Sequence, residues 1–337
     1  MLAHDLIKFV FLAGFSCLFA SMGWANSAPT DINASNLTIA ENSSIGTVVG
    51  EFNATDPDGD TNINITYSLV LPLPSDLNLS LWLDASDAST ITHSNGSVSQ
   101  WADKSGNGNH AVQLISTNQP VLSSNKVQFD GANDGFSLTQ NIAATELNAF
   151  FVLSGYGYLI SNDVSDRILF HNSGSGRNLW WKLGGNEFFA NKGVTGYSDQ
   201  DHQILEFSLS SNTAQLRLDG DLALSKSNVS GSFKIDRVGL KFDGSTSVAT
   251  WNGSVMEIIV CDTQEHRQQI EGYLAHKWGL QNNLAIDHPY LSVFSIDSNG
   301  SLTTNKTFDY ETDDRNYSIT VHATDDHNAS FDKNFTI

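Results

Sequence analysis

The sequence predicts an all-β fold, and two features of its patterning carry this prediction. Apolar and polar residues alternate with a period of two along most of the chain, as in 317–323, where every second residue is apolar. Turn signals separate many such short segments, among them Asp219-Gly220 between two runs of alternating leucines. Many short strands joined by turns are typical of sandwiches and barrels. In 48–54 the same alternation predicts an inner face formed by Val48, Phe52 and Ala54.

One segment is predicted to be helical. Ile270, Leu274 and Trp278 recur at a spacing of four, which predicts a helix over 264–278 that ends at Gly279. Because the helix carries a single apolar stripe, we expect it to dock on a sheet.

The first 25 residues resemble a secretory signal peptide. An apolar run over 6–20 is followed by small residues and a cleavage signal near Ala25. We therefore expect 1–25 to be removed, and the mature chain to be secreted or displayed at the cell surface, with no membrane insertion after cleavage.

The charge of the chain limits its partners. It has 17 lysines and arginines against 37 aspartates and glutamates, a net charge of −20. A surface this acidic repels nucleic acid, which we exclude as a partner, and it suits cation binding. Signal cleavage would remove Cys17 and leave Cys261 without a disulfide partner, and Cys261 is predicted to be a small buried hydrophobic residue.

The two ends of the chain are predicted to form one domain. The alternating segments in 29–74 and in 291–337 each present one apolar face, which so few strands cannot bury alone. The first contains AEN, ATDPDGD and ITYSL, and the second contains FSIDSNGSL, FDYE and VHATD. Joined, they resemble a bacterial cadherin-like domain. The resemblance implies a Greek-key (immunoglobulin-like) sandwich, with strands A to C in 29–74 and D to G in 291–337.

The middle segment, 76–290, is far too long for a loop. Its ends carry LWLDASDASTI, VSQWADKSGNGNHA, WNGSVMEIIVCD and IEGYLAHKWGL. These motifs resemble the LamG-like, concanavalin A-like jelly rolls of marine bacterial surface proteins. The resemblance implies that a jelly-roll sandwich is inserted into the cadherin-like sandwich.

The cadherin-like resemblance implies bound calcium (Ca2+). It places three acids at each pole of the domain, and three carboxylates are about half of a calcium shell. The acids at one pole are Glu41, Asp309 and Glu311, and those at the other are Asp56, Asp58 and Asp325. The alternative is that these acids cap turns, as aspartate does well.

A sugar site in the jelly roll is a second expectation. Trp101, Asp103, Asn107 and Asn109 share one glycine-rich loop, and Trp180-Trp181 is an aromatic pair. The alternative is that Trp101 packs in the core and that Asp103 caps a turn.

Catalytic motifs are missing from the sequence. The nearest candidate for a glycosidase acid group, formed by Glu257, Asp262 and Glu265, lacks the required spacing, and no G-x-S-x-G, H-E-x-x-H or phosphate-loop motif occurs. We therefore expect a non-enzymatic, calcium-binding adhesion or interaction module. Its partner would be a cell-surface protein, a glycan or a second copy of the chain. The alternative is a carbohydrate-binding, lectin-like module of a polysaccharide-degrading system.

Overall fold

The computed structural model describes most of the chain after residue 25. The described residues are 26–59, 64–71, 73–74, 76–161, 167–173, 176–183, 186–189, 197–241, 249–290, 293–313, 315–327 and 329–337. The expected signal peptide, 1–25, lies outside them. Within them the regular structure is mostly β-strand, with one short α-helix, which confirms the all-β prediction. None of the helices in this part of the chain has the length and apolarity needed to cross a bilayer.

Twenty-four strands are described, numbered here in chain order. They are β1 (Asp31–Ala34), β2 (Val48–Thr55), β3 (Thr66–Val70), β4 (Leu79–Asp84), β5 (Ile91–Ser94), β6 (Ser97–Trp101), β7 (Ala111–Val112), β8 (Val121–Ser123), β9 (Lys126–Asp130), β10 (Phe136–Ala144), β11 (Leu147–Ser161), β12 (Arg167–Ser173), β13 (Gly176–Leu183), β14 (Asn186–Phe189), β15 (Gln203–Ser210), β16 (Thr213–Leu218), β17 (Asp221–Ser227), β18 (Phe233–Val238), β19 (Leu240–Lys241), β20 (Ala249–Cys261), β21 (Phe294–Ile296), β22 (Ser301–Thr304), β23 (Ser318–Thr324) and β24 (Ser330–Thr336).

The two ends of the chain build two small sheets together. One has the strand order β1-β2-β22-β21 and the other β24-β23-β3. The antiparallel pairs β2–β22 and β3–β23 each join a strand from the first part to a strand from the second. Their apolar faces share one core, in which Ile32, Phe52, Leu302 and Val321 are buried. Each end therefore supplies the apolar partner that the other lacks.

The middle of the chain forms a larger β-structure with its own core. Strands β4 to β20 are linked by hydrogen bonds into one continuous antiparallel arrangement. Strand β11 lies at its centre and pairs with both β15 and β20. Its buried residues alternate between two clusters: Ala149, Phe151 and Leu153 enter the main core, whereas Phe150 and Val152 lie in a second cluster. The face of β11, β15 and β20 that carries this second cluster is called the outer face below.

The single α-helix of the described residues, α1 (Arg267–Trp278), packs on that outer face. Ile270 and Leu274 contribute to the second cluster, as the apolar stripe predicts. The helix ends at Gly279, which has a left-handed φ of 68°, as expected. It begins three residues later than predicted, because the Thr263 hydroxyl accepts the Glu265 N–H (3.0 Å) in a turn that precedes the helix.

Two local predictions have different outcomes. The Asp219-Gly220 turn is confirmed, since both residues have the positive φ of a two-residue hairpin turn (50° and 86°). The inner face predicted for 48–54 is wrong at Val48, which is 55% exposed, while Val49 is buried. The register shifts between Val48 and Gly50, and this irregularity inverts the alternation at the start of β2.

Candidate functional site

A polar cleft lies on the outer face beside the N-terminal end of α1. Opposite residues of β15 and β16 are Glu206 with Arg217, Ser208 with Gln215, and Ser210 with Thr213. These polar residues alternate with Leu205, Phe207 and Leu209, which enter the main core. The cleft has a volume of about 410 Å³ and is lined by Ser208, Ser210, Thr213, Gln215, Arg217, Gln264 and Arg267.

A buried acid lies behind the two arginines of this cleft. Glu206 is 1% exposed, and neither of its carboxyl oxygens has a hydrogen-bond donor among the described residues. Its Oε2 lies 3.7 Å from Arg217 Nη1 and 4.0 Å from Arg267 Nη1. Burial, and then the charge of the nearby Glu271, raise the pKa of Glu206 to about 8 and so disfavour its charged form.

Glu271, one turn into α1, is the second acid beside the cleft. It is fully buried, and its Oε1 accepts a hydrogen bond from Arg267 Nη1 (2.5 Å). Its Oε2 lies 3.0 Å from His288 Nε2. The carboxylate of Glu271 therefore has partners on both oxygens, unlike that of Glu206.

A second buried carboxylate group lies under the other end of α1. Glu257 is fully buried and has a donor on each oxygen. Trp82 Nε1 (2.8 Å) and Tyr273 Oη (2.9 Å) donate to Oε1, and Trp278 Nε1 (2.6 Å) donates to Oε2. The Lys277 ammonium lies 2.9 Å from Oε2. Burial raises the pKa of Glu257, and the charge of Lys277 opposes this effect.

Asp84 completes the second group. It lies 2.8 Å from the ammonium groups of both Lys277 and Lys104, and Ser86 Oγ donates to it (2.6 Å). Burial acts to raise its pKa, but the two lysines outweigh burial and lower it to about 2. Three of the motifs noted in 76–290 thus meet here, because Asp84, Lys104 and Lys277 each come from a different one. This group ties α1 to the sheet.

The glycine-rich loop does not present the expected sugar platform. Trp101 is fully buried, so its ring offers no exposed face. The Asp103 carboxylate accepts hydrogen bonds from the backbone N–H groups of Trp82, Ser105 and Asn109, each at 2.9 Å. The alternative interpretation, in which Trp101 packs and Asp103 caps a turn, is confirmed. The side chains of the Trp180-Trp181 pair lie outside the described residues.

A second cavity, of about 990 Å³, lies where the loop after α1 meets β3 and β21. Two of its ionisable side chains have partners, since Lys306 pairs with Asp313 (2.6 Å) and His288 Nε2 lies 3.0 Å from Glu271 Oε2. Burial lowers the pKa of His276 to about 4, so this lining residue is neutral. The cavity lies between two packed regions, and its described lining contains no group of unpaired charges.

The acids predicted for one calcium pole lie around the segment 26–27. Asn26 Nδ2 donates to Asp325 Oδ2 (2.8 Å), and the Ser27 N–H donates to Asp58 Oδ2 (2.5 Å). The Asp58 N–H donates to Asp56 Oδ1 (2.8 Å). Asp56 Oδ2 is buried and has no hydrogen-bond donor among the described residues. Asp58 and Asp325 thus contact adjacent residues of one short segment, but within the described residues Asp56, Asp58 and Asp325 do not form a group with ligand atoms inside 4.8 Å.

Asp325 also has neighbours that the sequence analysis missed. One ligand atom from each of Asp325, Asp326 and His327 lies within 4.8 Å of the others. Asp325 itself is buried, and its Oδ1 accepts the N–H groups of His327 (2.8 Å) and Ala329 (2.9 Å). The adjacent residues of the VHATDDH segment are the sequence signal that points to this group.

The acids predicted for the other pole are more dispersed. The backbone brings Glu41 near Asp309, because the Asn42 N–H donates to Phe308 O (2.9 Å). Asp309 Oδ1 accepts the Glu311 N–H (3.0 Å), which lowers the pKa of Asp309. Glu41 and Glu311 are exposed. Within the described residues, these three acids do not form a group with ligand atoms inside 4.8 Å.

The cleft residues were also missed by the sequence analysis. Polar residues at every second position of 206–217 are typical of a solvent face, and nothing in the spacing distinguishes them from an ordinary strand surface. The available signal was Glu206 itself, an acid inside the apolar run ILEFSL of a central strand.

Comparisons with known proteins place the chain in no family. No family model matches it, and no curated protein matches it. Several solved structures are similar to parts of the chain, and three of them are described here. Domain 4 of an extracellular arabinanase from Geobacillus stearothermophilus, in complex with arabinotriose, is 11% identical, with 55% of this chain and 93% of that chain covered and a TM-score of 0.37. An arabinofuranosidase complexed with arabinofuranosyl-xylobiose is 10% identical, with 74% and 73% covered and a TM-score of 0.41. A Trypanosoma rangeli sialidase is 12% identical, with 62% and 36% covered and a TM-score of 0.39.

These comparisons correct one expectation. The chain was interpreted as non-enzymatic, but the solved structures similar to it include arabinofuranosidases and sialidases, which are enzymes. The non-enzymatic interpretation is therefore withdrawn. At these TM-scores the similarities assign no activity to the chain.

Proposed function

We propose that this chain is an extracellular carbohydrate-binding protein and that the polar cleft on the outer face is its binding site. The observation that carries the proposal is the lining of the cleft, which combines three hydroxyl groups, two amides and two guanidinium groups. A saccharide presents hydroxyls that both donate and accept hydrogen bonds, and these side chains supply both kinds of partner. The volume of about 410 Å³ is within the range of small-ligand pockets.

The rigid floor of the cleft supports this function. The lining residues of β15 and β16 stand on strands whose other face enters the main core, and α1 closes one side. Side chains on paired strands are held in place better than those on loops, which reduces the entropy lost when a ligand binds. We propose that the region 76–290, which holds this cleft, is the LamG-like jelly roll and that 29–74 and 291–337 form the cadherin-like sandwich that carries it.

A substitution that fills the cleft tests this proposal. Ser210→Trp would fill it with a large side chain, and we expect glycan binding by the unmodified chain, found on a glycan array and measured by calorimetry, to be lost. Thr92→Trp adds the same side chain at an exposed position that does not line the cleft and should leave binding unchanged. Equal loss in both variants, or no binding of any glycan by the unmodified chain, would remove the proposal.

A second candidate function is a calcium-binding adhesion module displayed at the cell surface, with calcium held by the split sandwich. The observation that favours it is Asp56 Oδ2, a buried carboxylate oxygen next to Asp58 that has no donor among the described residues. A buried acceptor without a partner costs free energy, which a bound cation would recover. Asp56, Asp58 and Asp325 would hold the ion, with Asp326 as an additional oxygen ligand, and the ion would stiffen the pole.

Calcium titration tests this candidate. We expect calcium to raise the thermal midpoint of the intact chain and Asp56→Asn to remove most of that rise, because the amide keeps the shape but loses the charge. Glu146→Gln, at an exposed acid far along the chain, is the control and should keep the full rise. A calcium response that is equal in Asp56→Asn and in the unmodified chain would exclude this site.

A further inference from the structure

The cleft differs in charge from the rest of the molecule. The chain carries a net charge of −20, yet the described lining of the cleft contains two arginines and no aspartate or glutamate. The side chains of Arg217 and Arg267 are 16% and 21% exposed, so both guanidinium groups are largely withdrawn from bulk water. A charge at such a position is screened less than one on the open surface.

Each guanidinium group has N–H donors that make no hydrogen bond to the described residues. Arg217 donates from Nη1 to Gln215 Oε1 (3.0 Å), and Arg267 donates from Nη1 to Glu271 Oε1 (2.5 Å). These are their hydrogen bonds to described residues, and an arginine has five N–H donors in a planar fork. The fork matches the two oxygens of a carboxylate, or two oxygens of a sulfate ester, better than it matches a neutral hydroxyl.

The acid behind the arginines does not cancel their charge. Glu206 lies 3.7 Å and 4.0 Å from the two guanidinium groups, which is too far for a hydrogen bond. Burial and the charge of Glu271 also raise its pKa to about 8, which disfavours its charged form. Of the two arginines, only Arg267 has an acid at hydrogen-bond distance, Glu271 (2.5 Å), so Arg217 has no directly bonded counter-ion among the described residues.

We propose that the cleft selects saccharides that carry a carboxylate or a sulfate ester and that Arg217 and Arg267 bind this anionic group. This inference rests on the proposed function and names its ligand class. Ser208, Ser210, Thr213 and Gln215 then bind the hydroxyls of the same sugar, which explains why hydroxyl and amide side chains surround the arginines.

Three probes of different charge test the inference by calorimetry: an oligogalacturonate for carboxylates, a sulfated galactan for sulfate esters, and the same galactan without sulfate. We expect the unmodified chain to bind at least one anionic probe at least about tenfold more tightly than the neutral galactan, since charge-assisted bonds are worth more than neutral ones. Arg217→Gln should weaken binding of that probe about tenfold and leave any binding of the neutral galactan within about twofold. Arg217→Lys keeps the charge but not the planar guanidinium fork, so its affinity for the anionic probe should lie between those of the unmodified chain and Arg217→Gln.

Lys226→Gln is the matched control, because it removes one positive charge from an exposed position on β17 that does not line the cleft. Its binding should equal that of the unmodified chain, and the thermal midpoints of all variants should agree within a few degrees.

Neutral galactan bound as tightly as both anionic probes would overturn the charge selectivity while leaving carbohydrate binding intact. If none of the three probes binds and a wider glycan array is also silent, both the inference and the proposed function fail. An equal loss in Lys226→Gln and Arg217→Gln would show a general charge effect and would also overturn the inference.

Discussion

Two buried carboxylates under the same helix, Glu257 and Glu206, have opposite environments. Glu257 receives hydrogen bonds from Trp82, Tyr273 and Trp278, and a lysine ammonium lies 2.9 Å from it. Glu206 is buried to the same degree but has no donor among the described residues, and its nearest cations are 3.7 Å and 4.0 Å away.

This difference separates a structural group from a candidate functional one. A buried charge with all its partners in place holds elements together, and removing one partner is costly. A buried acid that stays uncharged leaves neighbouring cations available for something else. The Glu257 group therefore explains the attachment of α1, and the Glu206 group explains the positive cleft. The predictions below address this contrast, starting with the largest expected effect.

Replacing Lys277 by methionine would test the structural group most strongly. Lys277 serves both Glu257 and Asp84, so Lys277→Met leaves two buried carboxylates with less counter-charge. We expect a loss of about 3–5 kcal/mol in the free energy of unfolding, the usual cost of breaking a buried ion pair. Urea titration followed by tryptophan fluorescence measures it, because Trp82 and Trp278 belong to the group. Lys226→Met, at an exposed lysine, is the control. If Lys277→Met lowers the free energy of unfolding no more than this control does, the Glu257 group is not a stabilising structural group and the contrast with Glu206 is false.

Replacing Glu206 by glutamine would test the uncharged acid. The groups that face Glu206 are Arg217 from β16, Arg267 and Glu271 from α1, and the buried thiol of Cys261 from β20, whose pKa burial raises to about 11. The pKa of Glu206 is about 8 in the folded chain, above its ordinary value of 4.5. The folded state therefore holds this proton more tightly than the unfolded state, and stability falls as pH rises from 4.5 towards 8.

We expect Glu206→Gln to remove this fall. Between about pH 5 and about pH 7, the unfolding free energy of the variant should rise relative to that of the unmodified chain by up to about 1.4 kcal/mol per pH unit. Urea titrations across this range measure the difference, with Glu146→Gln as the control. Parallel pH profiles for Glu206→Gln and the unmodified chain would mean that Glu206 is ionised and that the contrast between the two acids is false.

The smallest change removes one hydroxyl. Tyr273→Phe deletes a donor to Glu257 and an acceptor for Lys277 (3.0 Å) while keeping the ring. Because the two tryptophans and Lys277 remain, we expect a loss of about 1–2 kcal/mol. The same urea titration measures it, and a loss as large as that of Lys277→Met would indicate that the group depends on the phenol rather than on the charge pair.

The sequence predicted local features better than sites. Period-two alternation identified the strands, the spacing of Ile270, Leu274 and Trp278 identified the helix, and Asp219-Gly220 identified a turn, because each depends on residues close in the chain. The prediction for Val48 was wrong, since a register irregularity depends on the partner strand and leaves no mark in the local pattern. Trp101 and Asp103 could not be assigned between binding and packing until their burial was known.

By itself the sequence determined that this chain is a β-protein, strongly acidic, with two ends whose apolar faces are each incomplete. These properties follow from composition and from periodicities that repeat within a few residues. The tertiary structure alone decided which charges meet. Glu206, Arg217, Arg267 and Glu271 come from two strands and a helix that are up to 65 positions apart in the chain, and only their packing creates a positive cleft on an acidic protein. The environment that separates Glu206 from Glu257 is likewise a product of burial and of partners brought from distant segments, which no local pattern records.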